Sequence, residues 1–234
     1  MRKALLGAVV AFSVLTPVPA TASLRIPQLP PPSDFAARID NPWFPLIAGT
    51  VLTYKGVKDG KRARDVLMVT RAHATILGIR ATVIQDRLYL NGRLGERTTD
   101  WYAQDRAGNV WYLGERTATV DRHGRTTSTE GSWLAGVNGA RAGIYMPAHP
   151  HHGETGRQEF YRGHAEDQFK VLSLRATVRS PAASSDHALL TQETTRLEPG
   201  TVDHKLYLRG VGTVLEQAIK GPIEQLLLVS VKHT

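Results

Sequence analysis

Most of the chain alternates apolar and polar residues with a period of two, which is the pattern of half-buried β-strands. Short stretches rich in Gly, Pro, Asn and Asp separate the alternating runs, and one of them, Asn91-Gly92, is a strong hairpin signal. The predicted strands cover residues 50–57, 64–70, 79–90, 94–104, 109–120, 126–133, 155–161, 168–179, 188–197, 205–217 and 225–232.

The most informative runs form one predicted hairpin, residues 100–115, in which two aromatic pairs flank a short turn. Trp101 and Tyr102 precede the turn, and Trp111 and Tyr112 follow it. A turn that closes symmetrically puts Trp101 opposite Tyr112 and Tyr102 opposite Trp111. Because neighbouring side chains on a strand point to opposite faces, each face would carry an aromatic pair. We therefore expect apolar material to cover both faces of this hairpin.

One stretch, residues 131–150, interrupts the alternation with four glycines and two prolines, and it predicts a long loop or lid. A glycine pair inside the predicted strand 205–217, Gly210 and Gly212, predicts a bulge or a close approach of strands. The chain contains no amphipathic helical pattern and no repeat of fixed period. The fold class is therefore all-β: an antiparallel meander of about ten strands, closed as a barrel or strongly curved as a half-barrel.

The N-terminus predicts a secretory signal peptide over residues 1–22. A positive Met1-Arg2-Lys3 precedes an apolar run, and Ala20-Thr21-Ala22 offers a cleavage site. The run is too short for a bilayer, which requires about 20 apolar residues, and we expect no membrane span. Residues 23–39 predict a Pro-rich extended leader, and residues 40–234 a single β domain whose first residues cap one end. We expect a secreted or periplasmic protein, soluble after cleavage.

Composition and charge exclude several classes of chemistry and of partner. The chain has no cysteine, which excludes disulfides, thiol catalysis and thiolate metal sites. Its formal net charge is +8, but the basic residues alternate with apolar ones as solvent-facing strand positions do. Nucleic-acid binding favours a concentrated basic stripe with stacking aromatics, so we expect no nucleic-acid partner. Affinity for anionic cell-wall polymers or membrane surfaces remains open.

Several short motifs carry a family resemblance. They are NPWFPL (41–46), DWYAQD (100–105), GNVWY (108–112), GSW (131–133), ETT (193–195) and LEPG (197–200). In these motifs the chain resembles a family of exported bacterial proteins of unassigned function, over about residues 40–231. The layout is similar, more loosely, to the half-barrels of periplasmic lipoprotein carriers and to lipocalin-like barrels. That similarity implies a cavity for apolar ligands, although the carriers plug their concave face with helices, which this sequence lacks.

A histidine cluster is the candidate metal site. His149, His151 and His152 lie on an extended segment, and imidazole suits zinc, copper or nickel. The alternative is a polar surface loop that holds no metal. Residues available as a further ligand are Glu154, Glu159 and His164.

Several acidic residues lie in or beside predicted strands, among apolar neighbours. A carboxyl group that faces a barrel interior would have a raised pKa and could act as an acid; the alternative is an outward charge paired with Arg or Lys. Nucleophilic catalysis finds little support, because the triad residue types in 184–187 are consecutive in one turn. The acidic candidates are Asp100, Glu115, Glu130, Glu159, Glu193 and Glu216.

These observations predict a non-enzymatic exported protein that binds an apolar or amphipathic molecule, or a cell-envelope component, in an aromatic-lined cavity. One alternative is a metal- or carboxylate-dependent hydrolase acting on cell-wall or glycan material, and another is an adaptor with an exposed apolar patch. No cofactor is expected beyond that transition metal, and the oligomeric state stays open. The predicted ligand-binding residues are Trp101, Tyr102, Trp111, Tyr112, Trp133 and Tyr145.

Overall fold

A computed structural model describes residues 24–234, and the predicted signal peptide lies outside them. Within these residues regular structure comprises a short 3-10 helix, Pro32–Asp34, and fifteen strands, and no helix is long and apolar enough to cross a membrane. The strands are β1 Thr50–Lys58, β2 Lys61–Ile76, β3 Ile79–Leu90, β4 Arg93–Gln104, β5 Val110–Val120, β6 Thr126–Ser128, β7 Trp133–Leu134, β8 Arg141–Met146, β9 Thr155–Arg157, β10 Glu159–Phe160, β11 Asp167–Arg179, β12 Ser184–Thr195, β13 Val202–Leu208, β14 Gly212–Lys220 and β15 Glu224–His233.

The strands form one antiparallel sheet. Its path is β10-β8-β5-β4-β3-β2-β1-β15-β14-β13-β12-β11-β9, and β6 and β7 pair with β5 beside that path. Two meanders, β1 to β5 and β11 to β15, therefore join through the β1–β15 pair. The all-β antiparallel prediction is confirmed, with more strands than the predicted ten.

The sheet closes through one short segment, residues 155–160. Its first half, β9, pairs with β11, and its second half, β10, pairs with β8. Gln158 stands between the two halves, and its backbone N–H donates to the carbonyl of Asp167 at 2.9 Å. The two ends of the sheet path are thus consecutive in the chain, which makes the fold a nearly closed barrel.

The hairpin of β4 and β5 forms as predicted, but its register differs from the symmetrical one. Tyr102 lies opposite Tyr112, Ala103 opposite Trp111, and Trp101 opposite Gly114. A three-residue loop, 106–108, ends with a glycine at φ 94°, which is the left-handed residue that such loops require. A bulge farther along β5 adds a second shift. The predicted opposite pairs, Trp101 with Tyr112 and Tyr102 with Trp111, were therefore wrong.

Two other sequence predictions are corrected. The predicted loop 131–150 contains β7 and β8, both paired with β5; three of its glycines occupy turns beside these short strands, and Gly143 lies within β8. Gly136 and Gly139, at φ 86° and 82°, make one of these turns. The predicted strand 205–217 is a hairpin of β13 and β14, with Gly210 at φ 75° in its turn. The glycine pair that predicted a bulge marks this turn instead.

The chain before β1 lies along the outside of the hairpin and then crosses one end of the barrel. Phe35 forms a bridge with Asp105 and contacts the Trp111 ring edge-on at 6.5 Å. The crossing segment is fixed by Asn41, whose Oδ1 accepts from the Trp43 backbone N–H at 2.9 Å and whose Nδ2 donates to the Pro147 carbonyl at 3.0 Å. This segment, residues 41–46, closes that end of the barrel as the sequence predicted.

Two apolar clusters occupy the barrel, one beneath the crossing segment and one toward the opposite end. The first is rich in aromatic residues and includes Trp43, Phe44, Tyr102 and Tyr112. The second is aliphatic apart from one tyrosine, and Leu228 and Val214 are fully buried in it. Polar side chains line the space between them, and they form the candidate site.

Candidate functional site

A cavity of about 250 Å³ lies inside the barrel, and strands from both meanders line it. The crossing segment closes one side of it with Phe44, Pro45 and Leu46. The charged lining residues are Asp65, Asp86, Glu96, Asp100, Glu115, Glu216, Glu224, Lys58 and Lys205. A barrel of this kind is large enough to enclose one small ligand.

Five of these carboxyl groups lie on four consecutive strands. Asp65 is on β2, Asp86 on β3, Glu96 and Asp100 on β4, and Glu115 on β5. They occur at strand positions in phase with buried apolar residues, so alternation directs their side chains into the barrel. We call this group the carboxyl wall.

The two interior lysines lie on β1 and β13, outside the four strands of the wall, and already have acidic partners. Lys58 Nζ lies 3.0 Å from Glu224 Oε1, and Lys205 Nζ lies 2.8 Å from Glu193 Oε2 and 3.6 Å from Glu216 Oε2. Within residues 24–234, no lysine, arginine or histidine nitrogen lies within 4.0 Å of a carboxyl oxygen of the carboxyl wall. The wall therefore forms no direct ion pair within the described chain, although the charge of Lys58 acts on Asp65 and Glu96.

One tyrosine links two groups of the wall. The Tyr112 hydroxyl lies 2.6 Å from Asp100 Oδ1 and 3.0 Å from Glu115 Oε2. A phenol has one proton to donate, so only one carboxylate can accept from it, and the other contact requires a protonated carboxyl that donates to the phenol oxygen. Both contacts can thus be hydrogen bonds only when Asp100 or Glu115 is protonated.

The environment of these two carboxyls favours that protonation. Burial raises the pKa of Asp100 to about 7, although its hydrogen bond with Tyr112 opposes the shift. Burial, followed by the charge of Asp100, raises the pKa of Glu115 to about 8. A carboxyl in this range can hold or release a proton near neutral pH.

A second acidic pair lies on the neighbouring strands. Burial raises the pKa of Asp65, and burial together with the adjacent Asp65 raises the pKa of Asp86 well above its usual range. Asp65 Oδ1 is buried and has no hydrogen-bond partner among residues 24–234. An unmet buried acceptor is unfavourable, and a donor group in the cavity would satisfy it.

Aromatic rings form the end of the cavity beneath the crossing segment. Tyr145 lies 4.6 Å from Phe44 and 5.1 Å from Tyr102, measured between ring centroids. Tyr102 also stacks on Tyr112 at 4.6 Å with an interplanar angle of 9°. The cavity consequently combines an aromatic end with an acidic side.

The six predicted ligand-binding aromatics fall into three places. Tyr102 and Tyr145 line the cavity. Tyr112 contacts three lining residues, because its ring stacks on Tyr102 and its hydroxyl contacts Asp100 and Glu115. Trp111 is buried and contacts the Phe35 ring. Trp101 and Trp133 line a second groove of about 350 Å³ together with Tyr161 and Arg116, and this groove shares Glu115 with the cavity.

The histidine cluster lies outside the cavity lining. His151 Nδ1 is 3.1 Å from Glu154 Oε2, and the side chains of His151 and His152 are exposed. Among residues 24–234, no three His, Asp or Glu side chains are grouped so that they could hold a metal ion. A metal at His149, His151 and His152 therefore remains a sequence-based prediction.

The predicted acidic residues lie in different parts of the structure. Asp100, Glu115 and Glu216 line the cavity, and buried Glu193 accepts from the Tyr207 hydroxyl at 3.0 Å. Burial raises the pKa of Glu159, which lies in the closing strand β10, and exposed Glu130 lies 3.4 Å from His164. Sequence reasoning missed six charged lining residues, which are Lys58, Asp65, Asp86, Glu96, Lys205 and Glu224. The sequence did contain a signal for such positions: Asp65 alternates in step with the apolar residues Ala63 and Leu67, which places all three side chains on the same face of the strand.

No protein-family model matches the chain, and no curated protein is significantly similar to it. Among solved structures, a candidate exported protein with a YmcC-like fold from Bacteroides fragilis is 14% identical, with a TM-score of 0.46 over 81% of this chain and 98% of that one. A candidate lipoprotein from Parabacteroides distasonis is 10% identical, with a TM-score of 0.42 over 81% and 97%. Both scores are too low for either likeness to assign a function to this chain.

Proposed function

We propose that this protein is an exported, non-enzymatic binding protein whose barrel holds a small amphipathic molecule carrying an amine. The observation that carries the proposal is the carboxyl wall, five acidic groups that line a cavity without a cationic partner from the described chain. Burying unpaired carboxyls is costly, and an ammonium group in the cavity would offset that cost. The ligand would supply the missing positive charge.

The rest of the cavity supports an apolar part on the same molecule. Phe44, Tyr102 and Tyr145 form its aromatic end, where an aryl or alkyl group would remove apolar surface from water. The ammonium would then lie toward Asp65, Asp86 and Asp100. A volume of about 250 Å³ favours a molecule at the small end of the range for ligand pockets.

The first test compares two probes of the same shape, 2-phenylethylamine and 2-phenylethanol, by isothermal titration calorimetry at pH 7.5. We expect the amine to bind at least about tenfold more tightly, which corresponds to about 1.4 kcal/mol, because only the amine pairs with the carboxyl wall. We also expect the Asp86→Asn variant to lose most of that preference. The matched control is Glu154→Gln, a half-buried glutamate outside the cavity lining.

Equal binding of the amine and the alcohol would contradict the charge-based proposal and would favour an apolar ligand. Native mass spectrometry of the mature protein purified from its own host gives a second readout. There we expect a retained small molecule whose mass is lost after replacement of Asp86. Retention of an uncharged molecule by that variant would also count against the amine.

A second candidate function is a carboxylate-dependent glycan hydrolase, and the Asp100–Tyr112–Glu115 arrangement favours it. Two carboxyls that share one phenol are close together, and one of them is held protonated near pH 7, as a general acid requires. We would then expect hydrolysis of soluble cell-wall glycan fragments to fall by at least about 100-fold in both Asp100→Asn and Glu115→Gln. Reducing-sugar release measures this, and equal rates in wild type and both variants would rule it out.

A further inference from the structure

Charge is segregated across the sheet formed by β1 to β5. The acidic residues within these strands belong to the carboxyl wall and face the interior. The outward positions carry only basic charges among their ionised side chains. These basic residues include Lys55, Arg62, Arg64, Arg87, Arg97 and Arg116.

Like charges face each other on this outer surface. Lys55 lies directly opposite Arg64, and Arg87 lies directly opposite Arg97. Within residues 24–234, none of these four has a carboxylate oxygen within 4.0 Å; the ion pairs of the described chain lie elsewhere. Like charges directly opposite on a sheet are destabilising, so an external anion would stabilise this face.

Exposed apolar side chains lie at one end of the same surface. Val57, Ile219 and Ile223 are 37%, 53% and 72% exposed. The β1–β2 and β14–β15 turns beside them are adjacent, because the Asp59 backbone N–H donates to the Ile223 carbonyl at 2.9 Å. Val57 also lies directly opposite Arg62. We call this end, with its apolar residues and the surrounding cations Lys55, Lys61, Arg62 and Lys220, the basic tip.

Acidic groups at the basic tip do not neutralise it. Asp59 is exposed in the β1–β2 turn, and Glu224 is paired with Lys58 at 3.0 Å. Asp203 lies opposite Ala218 on the neighbouring strand β13, so four cations lie near two aspartates that form no ion pair within the described chain. A soluble anion would use the cations but would leave both isoleucines in water, whereas a lipid surface offers phosphate to the cations and acyl chains to the isoleucines.

We propose that the basic tip docks the protein on an anionic lipid bilayer, with Ile219 and Ile223 entering the interface and the surrounding lysines and Arg62 contacting lipid phosphates. Arginine suits phosphate because its planar guanidinium forms paired hydrogen bonds. The docking is peripheral and reversible, and it uses no residue of the cavity aromatic end. This inference does not depend on the proposed amine ligand.

The test is vesicle flotation of the full mature chain. The vesicles are pure phosphatidylcholine, or phosphatidylcholine with about one-third phosphatidylglycerol. We expect binding to the anionic vesicles alone, with binding weakened by 0.5 M salt because surface charge is screened. Removing one cation at the interface should lower the partition coefficient about fivefold, so Arg62→Gln should show that loss.

Ile223→Ser tests the apolar contact, and Ile47→Ser is its matched control, since Ile47 is 57% exposed beside the start of β1, at the other end of that strand. We expect at least a fivefold loss for Ile223→Ser and none for Ile47→Ser. Circular dichroism confirms that each variant is folded. Full binding by Ile223→Ser with loss in Arg62→Gln would mean charge-only binding of anions and would overturn the proposal, as would failure of the wild type to float with anionic vesicles.

Discussion

At the scale of single residues, the interior of this barrel depends on acidic side chains placed where the strand pattern calls for apolar ones. Asp86 and Asp100 alternate with buried residues on β3 and β4, and both have raised pKa values because they are buried. The Tyr112 hydroxyl has one proton but lies within hydrogen-bond distance of both Asp100 and Glu115. Both contacts are therefore hydrogen bonds only when one of the two carboxyls is protonated. Such residues lower stability unless a proton or a ligand compensates.

A pH-dependent stability follows for Asp100. Its folded pKa, about 7, lies above its unfolded value, so the folded state binds more protons and the free energy of unfolding falls as pH rises from about 4 to 7. Asp100→Asn removes this dependence. In urea unfolding we expect the wild type to lose roughly 1.4 kcal/mol per pH unit relative to the variant between pH 5 and 7.

The control for this measurement is Asp186→Asn. Asp186 is exposed, and its pKa is lowered by hydrogen bonds from Arg179 and Thr177, so it stays ionised throughout the same pH range. Its effect on stability should be independent of pH there. A constant difference between wild type and Asp100→Asn across pH 5 to 7 would show that Asp100 is ionised in the folded protein.

At the scale of elements, the close approach of two strands constrains the barrel where its two meanders join. Gly56 on β1 faces the backbone of β15, and a Cβ built on it would lie 1.7 Å from the Gln225 carbonyl oxygen. The β1–β15 pair joins the two meanders, so this contact is where the sheet becomes continuous. A side chain at this position would force the two strands apart.

Gly56→Ala should therefore destabilise the fold strongly. We expect a loss of about 3 kcal/mol in the free energy of unfolding, since the clash is with backbone that cannot rotate away. The matched control is Gly200→Ala, where an added Cβ meets nothing within 4 Å and the backbone needs no positive φ. Chemical denaturation measures both variants, and equal stability of the two would contradict the strand contact.

At the scale of the whole molecule, charge is sorted across β1 to β5, where the acidic groups face the interior and the charged residues that face outward are basic. The two proposed surfaces meet at Lys58 and Glu224, which line the cavity, while their neighbours Lys61 and Ile223 belong to the basic tip. A protein docked at this tip would hold one side of its cavity near the lipid interface. An amphipathic amine resident in that interface would then have a short route to the carboxyl wall.

Local patterns in the sequence determined a large part of this architecture. Alternation located the strands, Asn91-Gly92 located a hairpin, and the aromatic motif at 41–46 indicated a cap, because each depends on neighbouring residues alone. The same patterns identified Asp100, Glu115 and Glu216 as acidic groups near the interior. They also singled out Tyr102 and Tyr145 among the aromatics that line the cavity.

Tertiary structure alone decided the register, the closure and the composition of the cavity. A three-residue loop and a bulge set which aromatics of β4 and β5 face each other, and a segment of six residues, 155–160, closed the sheet by pairing on both sides. The charged residues that line one cavity come from strands distant in sequence, so contacts between those strands decide which charges lie together. Lys58 pairs with Glu224 and Lys205 pairs with Glu193, and the carboxyl wall is left without a direct ion pair in the described chain. Period-two alternation specifies the face of each side chain but not its neighbours across the barrel.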